Sequence, residues 1–342
     1  MGTEKKKETI ALIGAGGWGT ALANLLGSKG YSIKLWVFEE ELCDYMKKEK
    51  ENIDYLPGVK ISDNVTPLHS MEETVRQCDI VISATPSHTV RSVMKEASPY
   101  IAEDALVVSV SKGIEEDSLM TMSEVLTDVL PERFHGRLLV LSGPSFAKEV
   151  CREKPTAVVI ASENEELAKY GQDIFNMPYF RIYTNNDVRG VELGGTYKNV
   201  IAIATGISDG LELGLNAKAA LMSRGLAEIA RLGSAMGSRP ITFYGLAGVG
   251  DLILTCTGDL SRNRTVGIKL GQGMKLEEIL KEMKMVAEGI KNTRSIIKLG
   301  EKHGVELPIA KKVYEFLFQN KGLKEAITEL MGRDLKREFE GE

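Results

Sequence analysis

Residues 10–20 read IALIGAGGWGT, an apolar run that breaks into the pattern Gly14-x-Gly16-x-x-Gly19. Gly14 is expected in a backbone conformation that a Cβ would penalise. Gly16 would let the main chain approach a pyrophosphate, and Gly19 would let the next helix pack on the preceding strand. The pyrophosphate would lie against the free N–H groups of that helix's first turn. The stretch predicts a dinucleotide-binding turn, and a merely tight turn is the alternative.

The sequence around this turn supports the prediction. The residue pattern predicts a strand at Thr9–Ile13, a helix at about Trp18–Ser28 and a second strand at Tyr31–Phe38 that ends at Glu39. An acidic side chain at that strand end can accept hydrogen bonds from the hydroxyls of an adenosine ribose. The glycine motif therefore lies in the strand–turn–helix–strand context that a dinucleotide site requires.

The composition limits the classes of function. The 342 residues carry a formal net charge of −5 with lysines and acids interspersed, so the basic face of a nucleic-acid binder is not expected. No apolar stretch reaches the length of a membrane span, and the N-terminus lacks a basic-then-apolar secretory pattern. The four cysteines and four histidines are scattered, which predicts no disulfide framework, no metal site and a cytoplasmic location.

The two halves of the chain differ in their apolar spacing. After the first two strands, short Val/Ile/Leu runs predict further strands at Asp79–Thr85, Ala105–Val110, Leu138–Leu141, Ala157–Ala161 and Phe180–Thr184. Such runs are typical of a parallel sheet that is buried on both faces by helices. From about Asp187 the spacing becomes helical.

This change of pattern predicts two domains. Residues 1–187 would form an α/β Rossmann-type doubly wound sheet, and residues 188–342 would form an all-α domain, with the site between them. The predicted helices of the second domain lie at about Val188–Gly206, Ala217–Met236, Leu276–Met283, Thr293–His303 and Ala310–Phe318.

Three polar loops follow predicted strands, at Thr85–Ser87, Ser111–Gly113 and Ser142–Ser145. In sheets of this kind, ligands bind beyond the carboxyl ends of the strands. Lys112 in the second loop could reach an anionic substrate or the nicotinamide side of the cleft. Many lysines at strand ends are merely exposed, so its role depends on what lies around it.

Lys198 and Asn199 interrupt an otherwise apolar helical pattern at residues 191–204. Burial makes an ionised lysine costly, so its pKa is readily tuned. Such a lysine could donate a proton to an oxygen that is becoming an alkoxide, and take the proton back in reverse. Its ammonium group would also stabilise the developing negative charge. The alternative is that Lys198 reaches solvent at the helix surface.

The segment Gly258–Arg264 precedes another helical stretch. Ser261 could cap that helix, and the nearby N–H groups could hold an anion. Arg262 adds a planar group that is suited to phosphate, although an ordinary capped surface turn is the alternative. Asp251 follows a glycine-rich turn and could either cap a helix or orient the ammonium group of Lys198.

Several of these segments recur together in one known family. They are Gly14–Thr20, Tyr55–Gly58, Ser142–Ala147, Lys198–Val200 with Asp209–Leu211, and Gly248–Asp251 with Ser261–Asn263. In combination they resemble the NAD(P)-dependent glycerol-3-phosphate dehydrogenases, and the resemblance extends from about Thr9 to about Phe318. It implies reversible hydride transfer between NAD(P)H and dihydroxyacetone phosphate to form sn-glycerol 3-phosphate, with reduction feeding phospholipid synthesis.

The resemblance also implies roles for individual residues. In such enzymes the lysine that matches Lys198 acts as the general acid and base. The positions that line the substrate site match Lys112, Gly143, Ser145, Lys198, Asp251, Ser261, Arg262 and Asn263. The positions that contact the cofactor match Gly17, Trp18, Phe38, Lys112, Ala147, Arg262, Val286 and Glu288.

One departure from the family pattern concerns the choice of cofactor. Members that accept NADPH often carry Arg or His where this chain has Phe38, which is followed by Glu39, Glu40 and Glu41. Three acids beside the ribose would repel a 2′-phosphate. We therefore predict NAD as the preferred cofactor, with NADP as a second option.

Two other functions stay open on the sequence alone. A β-hydroxyacid dehydrogenase acting on a carboxylate would combine the same turn, a helical domain and a catalytic lysine. A redox-sensing, NAD-binding regulator would need no turnover, although Lys198 beside a phosphate site argues against it. The expected partners are small-molecule substrates, without nucleic acid or membrane insertion. For the oligomeric state, a homodimer is the working hypothesis.

Overall fold

The first half of the chain is organised around a sheet. The computed structural model describes residues 8–283, 287–319, 322–335 and 337–338. Its strands are β1 (Thr9–Ile13), β2 (Ser32–Trp36), β3 (Glu51–Asn52), β4 (Leu56–Lys60), β5 (Val65–Leu68), β6 (Ile80–Ser83), β7 (Leu106–Ser109), β8 (Leu138–Ser142), β9 (Thr156–Ala161) and β10 (Phe180–Asn185). Eight strands form one sheet in the order β10-β9-β8-β7-β6-β1-β2-β5, and β3 pairs with β4 separately.

Helices cover both faces of this sheet. They are α1 (Gly17–Ser28), α2 (Glu40–Glu49), α3 (Met71–Val75), α4 (Val90–Ala97), α5 (Met122–Val129), α6 (Ala147–Val150) and α7 (Glu165–Phe175). Successive side chains of β1 enter different cores, because Ile10 and Leu12 belong to one buried cluster and Ala11 and Ile13 belong to another. This burial on both faces explains why the strands are continuously apolar, and it confirms the predicted doubly wound architecture.

The direction of two strands differs from the prediction of a parallel sheet. β8 pairs with β9 in the antiparallel sense, and β10 runs parallel to β9. A parallel crossover needs a connection long enough to run back along the sheet, usually a helix. Between β8 and β9 the chain offers only the four-residue helix α6. The chain therefore turns back beside β8, and the apolar runs alone could not indicate this direction.

The second half of the chain is helical. Its helices are α8 (Val188–Gly210), α9 (Gly214–Ala235), α10 (Asp251–Thr257), α11 (Arg262–Gly271), α12 (Leu276–Glu282), α13 (Glu288–His303), α14 (Pro308–Phe318) and α15 (Leu323–Met331). The predicted domain division between residues 187 and 188 falls in the short connection from β10 to α8, and it remains a prediction. No helix in the described part of the chain is long and apolar enough to cross a membrane.

Helix α8 forms the centre of the helical half. Every residue from Gly190 to Gly206 is buried, and α9, α10, α11 and α13 pack around it. The side chain of Asp187 begins the helix by accepting a hydrogen bond from the backbone N–H of Gly190 at 2.9 Å. A helix that is buried on all sides keeps its side chains in fixed positions.

Helices α8 and α11 approach each other at glycines. A Cβ at Gly206 would lie 2.2 Å from the carbonyl oxygen of Arg264, and a Cβ at Gly267 would lie 2.2 Å from that of Ile203. Side chains larger than hydrogen would therefore separate the two backbones. This close packing holds the first turn of α11 beside the middle of α8.

Candidate active site

The glycine motif between β1 and α1 has the geometry of a pyrophosphate-binding turn. Gly14 has a φ of +115°, and a Cβ there would lie 3.0 Å from the carbonyl group of Ala84. A Cβ at Gly19 would lie 2.0 Å from the carbonyl oxygen of Gly14, so α1 can pack here only with glycine. A Cβ at Gly16 would meet nothing within 4 Å, which leaves open space over the N-terminus of α1 for a phosphate group.

The predicted adenosine side of the site is formed by residues that follow β2. Phe38 follows β2, is 69% exposed and packs edge-on against Trp36. Glu39 accepts a hydrogen bond of 2.7 Å from the hydroxyl group of Tyr55. This contact and its own burial raise the pKa of Tyr55 to about 12, so that the hydroxyl remains a donor at neutral pH. Tyr55 belongs to one of the segments that carry the family resemblance, but its hydrogen bond to Glu39 was not predicted from the sequence.

Gly17 and Trp18 lie in the first turn of α1. A Cβ at Gly17 would lie 2.9 Å from the carbonyl oxygen of Tyr55, so this position also favours glycine. The ring of Trp18 lies 6.4 Å from that of Phe180, at the edge of the sheet core. Trp18 is therefore held by a contact that does not involve a ligand, and Gly17 lies where an added Cβ would meet the backbone of Tyr55.

The centre of the site is one carboxylate that contacts two lysines. Asp251, the first residue of α10, accepts a hydrogen bond from Nζ of Lys198 on α8 and another, of 2.6 Å, from Nζ of Lys112. Lys112 also donates to the carbonyl oxygen of Gly143 at 3.1 Å. The side chain of Lys198 is only 9% exposed and that of Asp251 is 1% exposed, so Lys198 does not extend into bulk solvent.

This environment adjusts the proton affinity of Lys198. Burial lowers its pKa from the ordinary value of 10.5 to about 7, and the neighbouring charge of Lys112 acts in the same direction. The carboxylate of Asp251 opposes both effects by favouring the ammonium form. The amine of Lys198 can therefore release and recover a proton near neutral pH, as a general acid and base must.

Two glycines bring this centre together. A Cβ at Gly195 would lie 2.7 Å from Oγ of Ser142 and 3.4 Å from Cδ of Lys112. A Cβ at Gly194 would lie 2.5 Å from the carbonyl oxygen of Ala247. Helix α8 can therefore approach both the Lys112 loop and the turn before α10. No role was predicted for these glycines from the sequence, although two adjacent glycines one turn before Lys198 indicate a close approach between α8 and a neighbouring segment.

The loop after β8 contributes the next group of predicted residues. Gly143 has a φ of +135°, and a Cβ there would lie 3.0 Å from Cα of Val158. Oγ of Ser145 donates a hydrogen bond of 3.1 Å to the carbonyl oxygen of Gly143. Ala147 begins α6. This loop therefore runs directly past the ammonium group of Lys112.

The start of α11 lies beside α8. Ser261 caps the helix, because its Oγ accepts a hydrogen bond of 3.3 Å from the backbone N–H of Arg264. Arg262 is exposed at the first helical position, where the helix dipole favours an anion. The guanidinium of Arg264 contacts Asp209 at 2.8 Å and Asp259 at 3.0 Å, and these acids balance its charge.

Asn263 connects three helices. Its amide donates a hydrogen bond of 2.9 Å to Asn199 of α8, and its carbonyl oxygen accepts one of 2.9 Å from the backbone N–H of Gly289 in α13. Asn263 is also buried. The structure thus gives this predicted substrate residue a clear connecting role between α8, α11 and α13.

Glu288 joins the helical half to the sheet. Its carboxylate accepts hydrogen bonds from Ser87, at 2.6 Å from Oγ and 3.2 Å from the backbone N–H. Ser87 belongs to the loop after β6 that the sequence singled out. Val286 lies outside the described residues. Within the described residues, no group of three His, Cys, Asp or Glu side chains could hold a metal ion.

These residues lie at one edge of the sheet. The strands β8, β7, β6 and β1 are adjacent and parallel, so the loops that carry Gly143, Lys112, Ser87 and Gly14 all follow their carboxyl ends. Lys198 reaches the same edge through Asp251. A dinucleotide turn at the same edge of the sheet as a lysine that changes protonation near neutral pH defines a nicotinamide-dependent oxidoreductase with a Rossmann-type domain and a helical domain.

Comparison with known families identifies the chain more closely. Residues 9–168 match the family model described as the N-terminus of NAD-dependent glycerol-3-phosphate dehydrogenase, and residues 187–328 match the model for its C-terminus. The chain belongs to the NAD-dependent glycerol-3-phosphate dehydrogenase family. The resemblance, fold class and oxidoreductase class predicted from the sequence are confirmed, as is a cofactor of the NAD or NADP type.

Individual relatives agree with this assignment. The glycerol-3-phosphate dehydrogenase [NAD(P)+] of Citrifermentans bemidjiense is 54% identical, over 97% of this chain and 99% of the relative. The protein of the same description from Geobacter metallireducens is also 54% identical, with the same coverage. The crystal structure of glycerol-3-phosphate dehydrogenase from Coxiella burnetii superposes with a TM-score of 0.91 at 38% identity, covering 96% of this chain and 99% of that one.

Proposed function

We propose that the enzyme transfers hydride reversibly between NADH and dihydroxyacetone phosphate, with sn-glycerol 3-phosphate as the product of reduction. The observation that carries this proposal is the Asp251 carboxylate, which contacts both Lys198 and Lys112 at the carboxyl edge of the sheet. The relatives at 54% identity are glycerol-3-phosphate dehydrogenases, which supports the choice of substrate. They favour it over a β-hydroxyacid and over regulation without turnover.

The first turn of α11 is the proposed phosphate site. Ser261 and Arg262 lie at its start, where backbone N–H groups and a guanidinium can both bind an anion. Asn263 holds this turn against α8 through Asn199. Binding the phosphate away from the reacting carbon would orient the carbonyl group for reaction.

Lys198 is the proposed general acid and base. When bound, the reduced dinucleotide supplies a hydride to the ketone carbon. Nζ of Lys198 donates its proton to the carbonyl oxygen, and in the reverse direction the neutral amine removes the proton of the hydroxyl group. Asp251 keeps the amine of Lys198 directed into the site. The ammonium group of Lys112 stabilises the negative charge that develops on the substrate oxygen.

The adenosine side supports NADH as the preferred cofactor. Glu39, Glu40 and Glu41 are all exposed beside Phe38, so a 2′-phosphate would approach three negative charges. NADPH is the second option. All four cysteines are free, which supports the proposed reducing, cytoplasmic location. A homodimer remains a working hypothesis.

The decisive experiment follows NADH absorbance after dihydroxyacetone phosphate is added. In the same assay, Arg262→Ala should raise KM for dihydroxyacetone phosphate roughly tenfold or more, because a hydrogen bond to a charged group is lost. Arg264→Ala is the control, since the guanidinium of Arg264 is already occupied by Asp209 and Asp259 and should affect stability rather than KM. Oxidation of NADH with a β-keto acid but not with the phosphate would contradict the proposal.

A further inference from the structure

Glu192 is a buried acid that the reaction described above does not use. It lies on α8, six positions before Lys198, and is 5% exposed. Its carboxylate accepts hydrogen bonds from Ser123 at the start of α5, at 2.6 Å from Oγ and 2.7 Å from the backbone N–H. An ionised carboxylate is costly to bury unless such donors satisfy it.

The contact joins the two halves of the molecule. Ser123 is in the first turn of α5, whose N-terminus is also closed by a capping box between Thr121 and Glu124. Glu192 caps the same turn from the helical half, where the helix dipole favours a negative charge. The ion pair between Arg189 of α8 and Glu124, at 2.9 Å, lies beside it at the surface. Glu192 therefore makes the buried contact between α8 and α5.

The same helix carries the reacting amine. Lys198 lies six positions after Glu192, about 9 Å along a helix axis. Between them, Gly194 and Gly195 hold α8 against Ala247 and the stem of Lys112 without any side chain to fix its position along the axis. Glycine contacts allow close approach without interlocking side chains, so at this contact the directional bond of Glu192 adds to the register of α8 relative to the sheet half.

We propose that Glu192 is a positioning residue: by fixing α8 to the N-terminus of α5, it sets where Lys198 stands relative to Lys112 and the dinucleotide turn. Glu192 touches none of the reacting groups, and it acts through the helix. The inference rests on the proposed function, because it concerns the proton that Lys198 transfers.

The test is Glu192→Gln in the full chain with NADH bound. The amide keeps the size of the side chain but places a donor where Ser123 also donates. We expect kcat for dihydroxyacetone phosphate to fall by about 10- to 100-fold, as for a misplacement on the order of 1 Å, while the Kd for NADH is unchanged. The pH midpoint of kcat should also move, because the distances from Lys198 to Asp251 and Lys112 change.

Glu228→Gln is the matched control. Glu228 is another buried carboxylate that caps a helix, since it accepts hydrogen bonds from the backbone N–H of Ile309 at 2.7 Å and from the hydroxyl of Tyr197 at 2.6 Å. Tyr197 directly precedes Lys198 on α8, but both partners of Glu228 lie in the helical half, so these bonds do not join α8 to α5. This variant should unfold more easily but keep the wild-type kcat and pH midpoint.

Ser123→Ala tests the same contact from the sheet side if Glu192→Gln does not fold. It keeps the backbone N–H and should lower kcat in the same direction by a smaller factor. The inference is overturned if the folded variant shows the wild-type kcat and pH midpoint, or only the change that Glu228→Gln shows. Absence of turnover in the wild type would instead overturn the proposed function and, with it, this inference.

Discussion

Among single residues, Asp251 contributes most directly to the environment of Lys198. Its two carboxylate oxygens bind different lysines, so it holds the amine in place while favouring its charged form. Burial has the opposite effect on Lys198 and is the larger influence. The balance leaves an amine that changes protonation near neutral pH.

The role of Lys198 can be tested directly. Lys198→Ala should bind NADH normally, because the dinucleotide turn is formed by other residues. Its turnover should fall by roughly 10²–10⁴, the usual contribution of general acid–base catalysis. Steady-state kinetics measure the turnover, and fluorescence titration measures NADH binding. Near-normal turnover would assign the proton transfer to another group.

The pH dependence should have opposite signs in the two directions. Reduction requires the ammonium form, so its kcat should fall as pH rises through about 7, whereas oxidation requires the neutral amine and its kcat should rise. Asp251→Asn removes a charge that raises the pKa of Lys198, so both midpoints should shift to lower pH. Rate profiles in both directions provide the measurement. Midpoints unaffected by this substitution would argue against Lys198 as the titrating group.

Residue identities were predictable where the signal was local. Gly14, Gly16 and Gly19 lie within six consecutive residues, and their spacing alone indicates their backbone roles. The partner of Lys198 is 53 positions away and that of Glu192 is 69 positions away. Contacts at such separations depend on packing, so sequence reasoning left two roles open for Asp251, a helix cap or a partner of Lys198, and did not reveal Glu192.

Among the elements, the α8–α11 pair fixes the proposed phosphate site. Their glycines allow backbone contact, so the start of α11 lies beside Asn199. The sequence predicted α8 but ended it at Gly206, and it did not predict that Gly206 would face Gly267. It also missed the reversal at β9. Apolar periodicity indicates that an element is buried, but it indicates neither the neighbour nor the strand direction.

Gly267→Ala should destabilise the protein by about 1–3 kcal/mol, because the added methyl group would overlap the backbone of α8. Denaturant unfolding with a two-state fit measures the change. Gly136→Ala is the control, since a Cβ there would meet nothing within 4 Å. Equal free energies of unfolding for the two variants would show that α8 and α11 can separate without destabilising the protein.

In the whole molecule, two carboxylates of the helical half bind serines of the sheet half. Glu192 contacts Ser123 and Glu288 contacts Ser87, and in both cases the serine donates through its hydroxyl and its backbone N–H. In the sequence, Ser87 precedes the loop that carries Lys112, and Ser123 follows it. These bonds hold the helix that carries Lys198, the proposed general acid and base, against the half of the molecule that carries the glycine motif.

Cofactor binding should therefore stabilise the whole fold. At 100 times its Kd, NADH should add about 2.7 kcal/mol to the free energy of unfolding. NADPH at the same concentration should add less, because Glu39, Glu40 and Glu41 repel its extra phosphate. Thermal unfolding of the wild type and of Lys198→Ala should show the same NADH effect. Equal stabilisation by both cofactors would contradict the proposed preference for NADH.

The burial of α8 also limits where residues can be inserted into the chain. Inserting one residue between Glu192 and Lys198 would rotate everything beyond it by about 100° and advance it by about 1.5 Å. The carboxylate and the amine could then no longer both reach their partners. An insertion at Gly273, in the exposed connection between α11 and α12, would disturb neither. Functional descendants of this enzyme should therefore tolerate length variation at that connection while keeping the six-residue interval in α8 constant.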